Sequence, residues 1–202
     1  MKKILLAGLI FASTISVAQA ESLSLLKTGN ATISGDINDV TGQAIGTKIS
    51  QGILFANDPF QLVQFTYLGA EAADNNIMTQ LRLGPDTQLF NNQSSAVGDT
   101  AYIRSGLFGD LWFGFKDLTT GSQTFVNGSS SIGYLLFGEA AAAFGGYEYI
   151  IGFNDNGSSD GDFDDLVVGV KGVSAVPVPA ALPLLASALG MFGVARRRKT
   201  LV

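Results

Sequence analysis

Alternation of large apolar and polar positions dominates the middle of the chain. In Val63-Gln64-Phe65-Thr66-Tyr67 the large side chains fall on one face and the polar ones on the other. Leu111, Phe113 and Phe115 repeat the pattern, as do Tyr147, Tyr149, Ile151 and Phe153, and then Leu166, Val168 and Val170. A period of two marks strands with one buried face. Weaker candidates are Gly52–Ala56, Ile77–Leu83, Ala101–Ile103 and Gly133–Phe137. Asn57-Asp58-Pro59, Gly84-Pro85-Asp86 and Asn127-Gly128-Ser129 supply turns. Glu21–Ser50 is polar and rich in small residues, which suits a first strand plus a long loop. One short helix is expected at Glu139–Phe144. About eight strands with Gly-rich turns predict an all-β fold: a two-sheet β-sandwich, with a jelly roll as one version of it.

At both ends the alternation gives way to unbroken apolar runs. Lys2-Lys3, the run Ile4–Val17 and Ala18-Gln19-Ala20 have the layout of a signal peptide. Cleavage after Ala20, with Ala18 filling the other small-residue position, starts the mature chain at Glu21. Near the other end, Val176–Ala195 is 20 residues, about the length of a membrane-crossing helix. Arg196, Arg197, Arg198 and Lys199 follow and should stay on the cytoplasmic side. The expected organisation is a signal peptide over 1–20, an extracellular β-sandwich over 21–174, and a C-terminal signal with a hydrophobic helix over 175–202.

The segment Val176-Pro177-Val178-Pro179-Ala180, the apolar run and the basic cluster together resemble the VPLPA-CTERM subtype of the bacterial PEP-CTERM sorting signals. Val178 stands where that subtype has Leu. The resemblance implies an inner-membrane-anchored precursor. A membrane-embedded exosortase-like enzyme would then remove the tail and pass the protein to the cell surface or matrix. The Sec translocon and a signal peptidase are the other implied partners, and exopolysaccharide is the expected surrounding. A plain single-span anchor has the same layout.

The charge of 21–174 is more skewed than that of the whole chain. It holds all 17 acidic residues but six of the 12 basic ones, a net of −11. Such a domain repels nucleic acid and attracts divalent cations. The chain has neither His nor Cys. Disulfides, thiolate metal sites and Ser-His-Asp chemistry are therefore excluded. Carboxylate, Lys or Tyr chemistry is what remains for an enzyme, and the balance shifts toward binding or structure.

The densest chemistry lies in Asp155–Asp165, with Asp155, Asp160, Asp162, Asp164 and Asp165 within 11 residues. Carboxylates packed this closely repel one another unless a cation intervenes. Calcium takes six to eight oxygen ligands in flexible loops of this composition. Asp160, Asp162 and Asp164 are the first candidate ligands, then Asp155 and Asp165. Asp164 and Asp165 alternate, so one of the two should face the ion. The other reading is a solvated hairpin loop in which Asp165 accepts local backbone N–H groups. Gly152-Phe153-Asn154-Asp155 and Asp162-Phe163-Asp164-Asp165-Leu166-Val167 also resemble a C-terminal segment of PEP-CTERM surface proteins, as Phe65–Ala72 resembles another.

Two weaker features remain. Trp112 alternates to the face opposite Phe113, where it is able to stack on a sugar ring. Glu71 and Asp74 are spaced as a carboxylate pair. The expectation is an exported, non-enzymatic surface or matrix protein. The alternatives are a calcium-dependent carbohydrate-binding module and a carboxylate-based polysaccharide hydrolase or lyase.

Overall fold

The computed structural model describes residues 22–32, 48–121, 123–136, 145–155 and 161–173. The signal peptide, the sorting segment, the short helix expected at 139–144 and Asp160 lie outside these residues. Among the described residues the fold is all-β, with no helix long and apolar enough to cross a membrane.

The described residues form eleven antiparallel strands in two sheets. The larger sheet runs β1 (Leu23–Thr32), β2 (Lys48–Ala56), β9 (Ile132–Leu136), β10 (Tyr149–Phe153), β11 (Leu166–Val173), β3 (Leu62–Gly69), β6 (Thr100–Arg104). The smaller runs β5 (Thr87–Asn91), β4 (Asn76–Gln80), β7 (Phe113–Asp117), β8 (Thr124–Val126). Seven strands face four, a count that departs from the eight of a jelly roll.

The alternating residues meet between the sheets. Val63, Phe65 and Tyr67 of the large sheet, Phe113 and Phe115 of the small sheet, and Leu111 just before β7 belong to one buried cluster. Phe115 stacks on Phe153 with ring centroids 5.1 Å apart, and Phe65 meets Phe113 edge-on at 5.4 Å. Such pairs add about 0.5–1.5 kcal/mol beyond their area burial.

Tyr147 departs from the expected inward set. It lies before β10, half-buried, and its ring covers Gly169 with the Lys171 ammonium 5.7 Å from the ring centre. Alternation puts Gly169 on the outer face, opposite Val168 and Val170, so Tyr147 packs outside the sandwich core.

One outer-face contact positions the acidic loop. Phe163 is buried against Ile49, and the backbone carbonyl of Phe163 passes over Gly152 of β10. A Cβ at Gly152 would stand 2.1 Å from that oxygen. Gly152 and Phe163 thus fix where the following carboxylates sit.

Candidate functional site

The order of the strands brings three loops to one end of the sandwich. Gly69 at the end of β3 pairs with Val167 near the start of β11, and Phe153 at the end of β10 pairs with Leu166. Asn76 at the start of β4 pairs with Asp117 at the end of β7. The β3–β4, β7–β8 and β10–β11 loops therefore share this end.

Asp74 and Asp155 lie in the β3–β4 and β10–β11 loops, and Asp117 ends β7 where the β7–β8 loop begins. One carboxylate oxygen of each lies within 4.8 Å of the others, an arrangement able to hold a metal ion. Each is held in place by its own contacts. Asn92 Nδ2 donates to the Asp74 carbonyl at 2.7 Å. Asn75 N–H donates to Thr119 Oγ1 at 2.8 Å, tying the Asp74 loop to the turn after Asp117. Thr119 N–H donates to Asp117 Oδ1 at 2.7 Å, while Thr120 donates N–H and hydroxyl to Oδ2. Burial raises the pKa of the Asp117 carboxyl, but the Thr120 and Thr119 hydrogen bonds outweigh it and hold it below the usual range. Asp117 is therefore a persistent anion.

Asn76 stands beside them, fully buried. Its Nδ2 donates to Asp155 Oδ2 at 2.8 Å, and its backbone N–H donates to Asn92 Oδ1 at 2.9 Å. Its Oδ1 is buried and accepts no hydrogen bond. A buried oxygen without a donor costs about 1–3 kcal/mol.

A second acidic group adjoins the first. Asp155 N–H donates to Asp165 Oδ2 at 2.8 Å. Glu71 N–H donates to the Asp164 carbonyl at 2.9 Å. Burial pushes the Asp164 carboxyl up to about 7, helped by the facing Glu71 carboxyl and by Asp162. Burial likewise pushes Asp165 up to about 8, with Asp155, Asp162 and Asp164 adding repulsion against the pull of the Asp155 N–H.

Of the five carboxylates expected from sequence, Asp160 lies outside the described residues, and the other four divide. Asp155 joins the triad. Asp162, Asp164 and Asp165 flank it, and Asp165 is the local backbone acceptor that the hairpin reading expects. Sequence reasoning missed Asp117 altogether. Its signal was an Asp followed by Thr119-Thr120 at the end of an inward-alternating strand, the composition of a side-chain-capped turn. Asp74 was noticed only for its spacing to Glu71.

Trp112 lies elsewhere. It is about half exposed (52%), and its indole N–H donates to Asp110. No protein-family model, curated protein or solved structure matches the chain.

Proposed function

We propose that the chain is the precursor of an exported surface or extracellular-matrix protein, not an enzyme, whose sandwich is a calcium-binding module. One observation carries the calcium reading: Asp74, Asp117 and Asp155 converge from two loops and the end of β7 beside a buried Asn76 oxygen that has no donor. Hard oxygen donors without nitrogen or sulfur favour calcium or magnesium, and irregular loops suit calcium's flexible coordination better. Turning the Asn76 amide over would point its oxygen at Asp155, an arrangement that two acceptors tolerate only with a proton or a cation between them.

Export rests on the terminal sequences. Ala18-Gln19-Ala20 supports signal-peptidase cleavage after Sec-dependent transport. Val176-Pro177-Val178-Pro179-Ala180 with Arg196–Lys199 supports handling by an exosortase-like enzyme, and an exopolysaccharide layer is the setting this route suggests.

Trp112 favours a second reading, carbohydrate binding. It and Asp117 flank opposite ends of β7, roughly 17 Å apart at about 3.3 Å per residue. A calcium ion at the acidic end would then support the sandwich without touching a sugar on Trp112. Equilibrium dialysis of the full chain against calcium tests the main reading. Binding that is lost in Asp155→Asn supports it, and no binding at about 5 mM calcium, above the usual extracellular range, rejects it. A glycan array probed with and without calcium tests the second.

A further inference from the structure

The end of the sandwich opposite the acidic loops displays aromatic rings. Among the described residues, Phe60, Phe108 and Trp112 are 55%, 88% and 52% exposed. Phe60 precedes β3, and the other two lie between β6 and β7.

The backbone there is fixed from several sides. Gly109 N–H closes a tight turn on the Gly106 carbonyl at 3.2 Å, with Leu107 and Phe108 at its tip. Gly106 N–H donates to the Asp110 carbonyl at 2.9 Å, and Ala56 N–H donates to the Gly109 carbonyl at 2.8 Å. Leu81 N–H donates to the Trp112 carbonyl at 3.0 Å. The Trp112 indole N–H donates to Asp110 Oδ2. The Asp110 carboxylate lies so close over Gly106 that a side chain there would overlap it. A carboxylate is thus set at the rim of an exposed indole before any ligand arrives.

Phe60 adds an independent sign. Its N–H donates to the Gly106 carbonyl at 3.2 Å, and its own carbonyl accepts from Arg104 Nη1 at 2.7 Å. Its φ is 56°, the one positive value outside glycine among the described residues. A bulky residue is disfavoured in this left-handed conformation. Packing gives little in return, since the residue stays more than half exposed. Strain without burial marks a position kept for what it presents.

We infer that Trp112, Asp110 and Phe60 form a binding site for a neutral polysaccharide. This deepens the carbohydrate reading of Trp112 and rests on it. A sugar ring offers C–H groups on its faces and hydroxyls around its rim. The indole face stacks on the first, the Asp110 carboxylate accepts from the second, and the Phe60 ring takes a neighbouring sugar unit. Arg104, exposed beside Phe60, supplies donors. The domain's excess of acidic residues repels anionic polysaccharide and anionic lipid, which favours a neutral chain as the occupant.

Trp112 is the chain's one tryptophan, so its fluorescence reads the site directly. The full chain in detergent is titrated with cellohexaose, xylohexaose, mannohexaose and chitohexaose. At least one of these should shift the emission and shield Trp112 from acrylamide. Asp110→Asn, which keeps the side-chain volume, and Phe60→Gly should each weaken binding of that sugar at least about threefold. Phe60→Gly should also melt at or above the wild type, because glycine adopts a positive φ freely. A Phe60→Gly variant that melts well below the wild type makes the ring a packing element and overturns the site. A sugar whose affinity is unchanged in either variant also overturns it, and leaves the sugar on Trp112 alone. No shift with any of the four sugars overturns this site and the carbohydrate reading together.

Discussion

Asp155 and Asp165 close the β10–β11 loop on each other: the Asp155 N–H donates to Asp165 Oδ2 at 2.8 Å. The bond brings two negative side chains to the same loop neck, with Asp162 and Asp164 adjacent. Burial and this crowding push Asp164 up to about 7 and Asp165 up to about 8 from their ordinary 3.8. The folded state therefore holds more protons than the unfolded chain between those limits. Its stability falls as pH rises through them, because raised carboxyl pKa values favour folding only while the protons stay on. In EDTA the melting temperature should drop from pH 5 to pH 8. With calcium beside Asp155 the drop should flatten, since the cation offsets the negative charge that faces Asp165. A melting temperature that rises with pH in EDTA would contradict this account of the loop.

Gly152 is needed because the chain crosses it. A Cβ there would stand 2.1 Å from the Phe163 carbonyl oxygen, a backbone atom that has no rotamer to yield. Gly152→Ala should cost about 2–3 kcal/mol, in the range of overpacked cores. That corresponds to roughly 4–12 °C for a domain of this size. It should also weaken calcium binding, because the segment that Phe163 anchors carries Asp165, whose carboxylate holds the Asp155 N–H. A thermal melt and a calcium titration of the variant check both effects.

Glu148 secures the start of the domain to its end. Its carboxylate accepts the N–H groups of Ser22 at 2.7 Å, Leu23 at 2.9 Å and Gly172 at 2.9 Å, and the Ser22 hydroxyl. Hydrogen bonds to charged groups contribute about 1.5–3 kcal/mol each when buried, and these are partly exposed. Glu148→Ala should cost about 2–4 kcal/mol in total. The loss should be the same in EDTA and in calcium, as Glu148 lies away from the acidic loops. Chemical denaturation under both conditions measures it.

The strands that alternate cleanly were legible because their inward residues are the core itself. Val63, Phe65 and Tyr67, Phe113 and Phe115, and Leu166, Val168 and Val170 are all buried between the sheets. β1 was only faintly visible, since most of Leu23–Thr32 is not fully buried and its pattern follows no simple alternation. β5 and β8 are short edge strands, where packing hardly constrains the residues. At the acidic end, Asp155 was visible as part of a dense local run. Asp117 and Asp74 were not, because only the pairing of Asn76 with Asp117 and of Gly69 with Val167 brings their loops beside it. Carboxylates that meet across loops carry no spacing for a reader of one chain to find.

The terminal signals predict the chemical ends of the exported protein. Mass spectrometry of the extracellular form should find Glu21 at its N-terminus and should find Leu182–Val202 missing. An exported chain that keeps Leu182–Val202 would be a plain anchored protein, and the exosortase-like step would fall.

The most direct measurement is the melting temperature of the full chain in EDTA, in about 5 mM calcium and in about 5 mM magnesium. With a Kd of about 0.1–1 mM, calcium at that level stabilises the folded state by roughly 1–2 kcal/mol. The account predicts a rise of about 2–8 °C in calcium, a smaller rise in magnesium, and no calcium response in Asp155→Asn. Equal melting temperatures of the wild type in EDTA and in calcium would contradict it and leave these loops as solvated acidic turns.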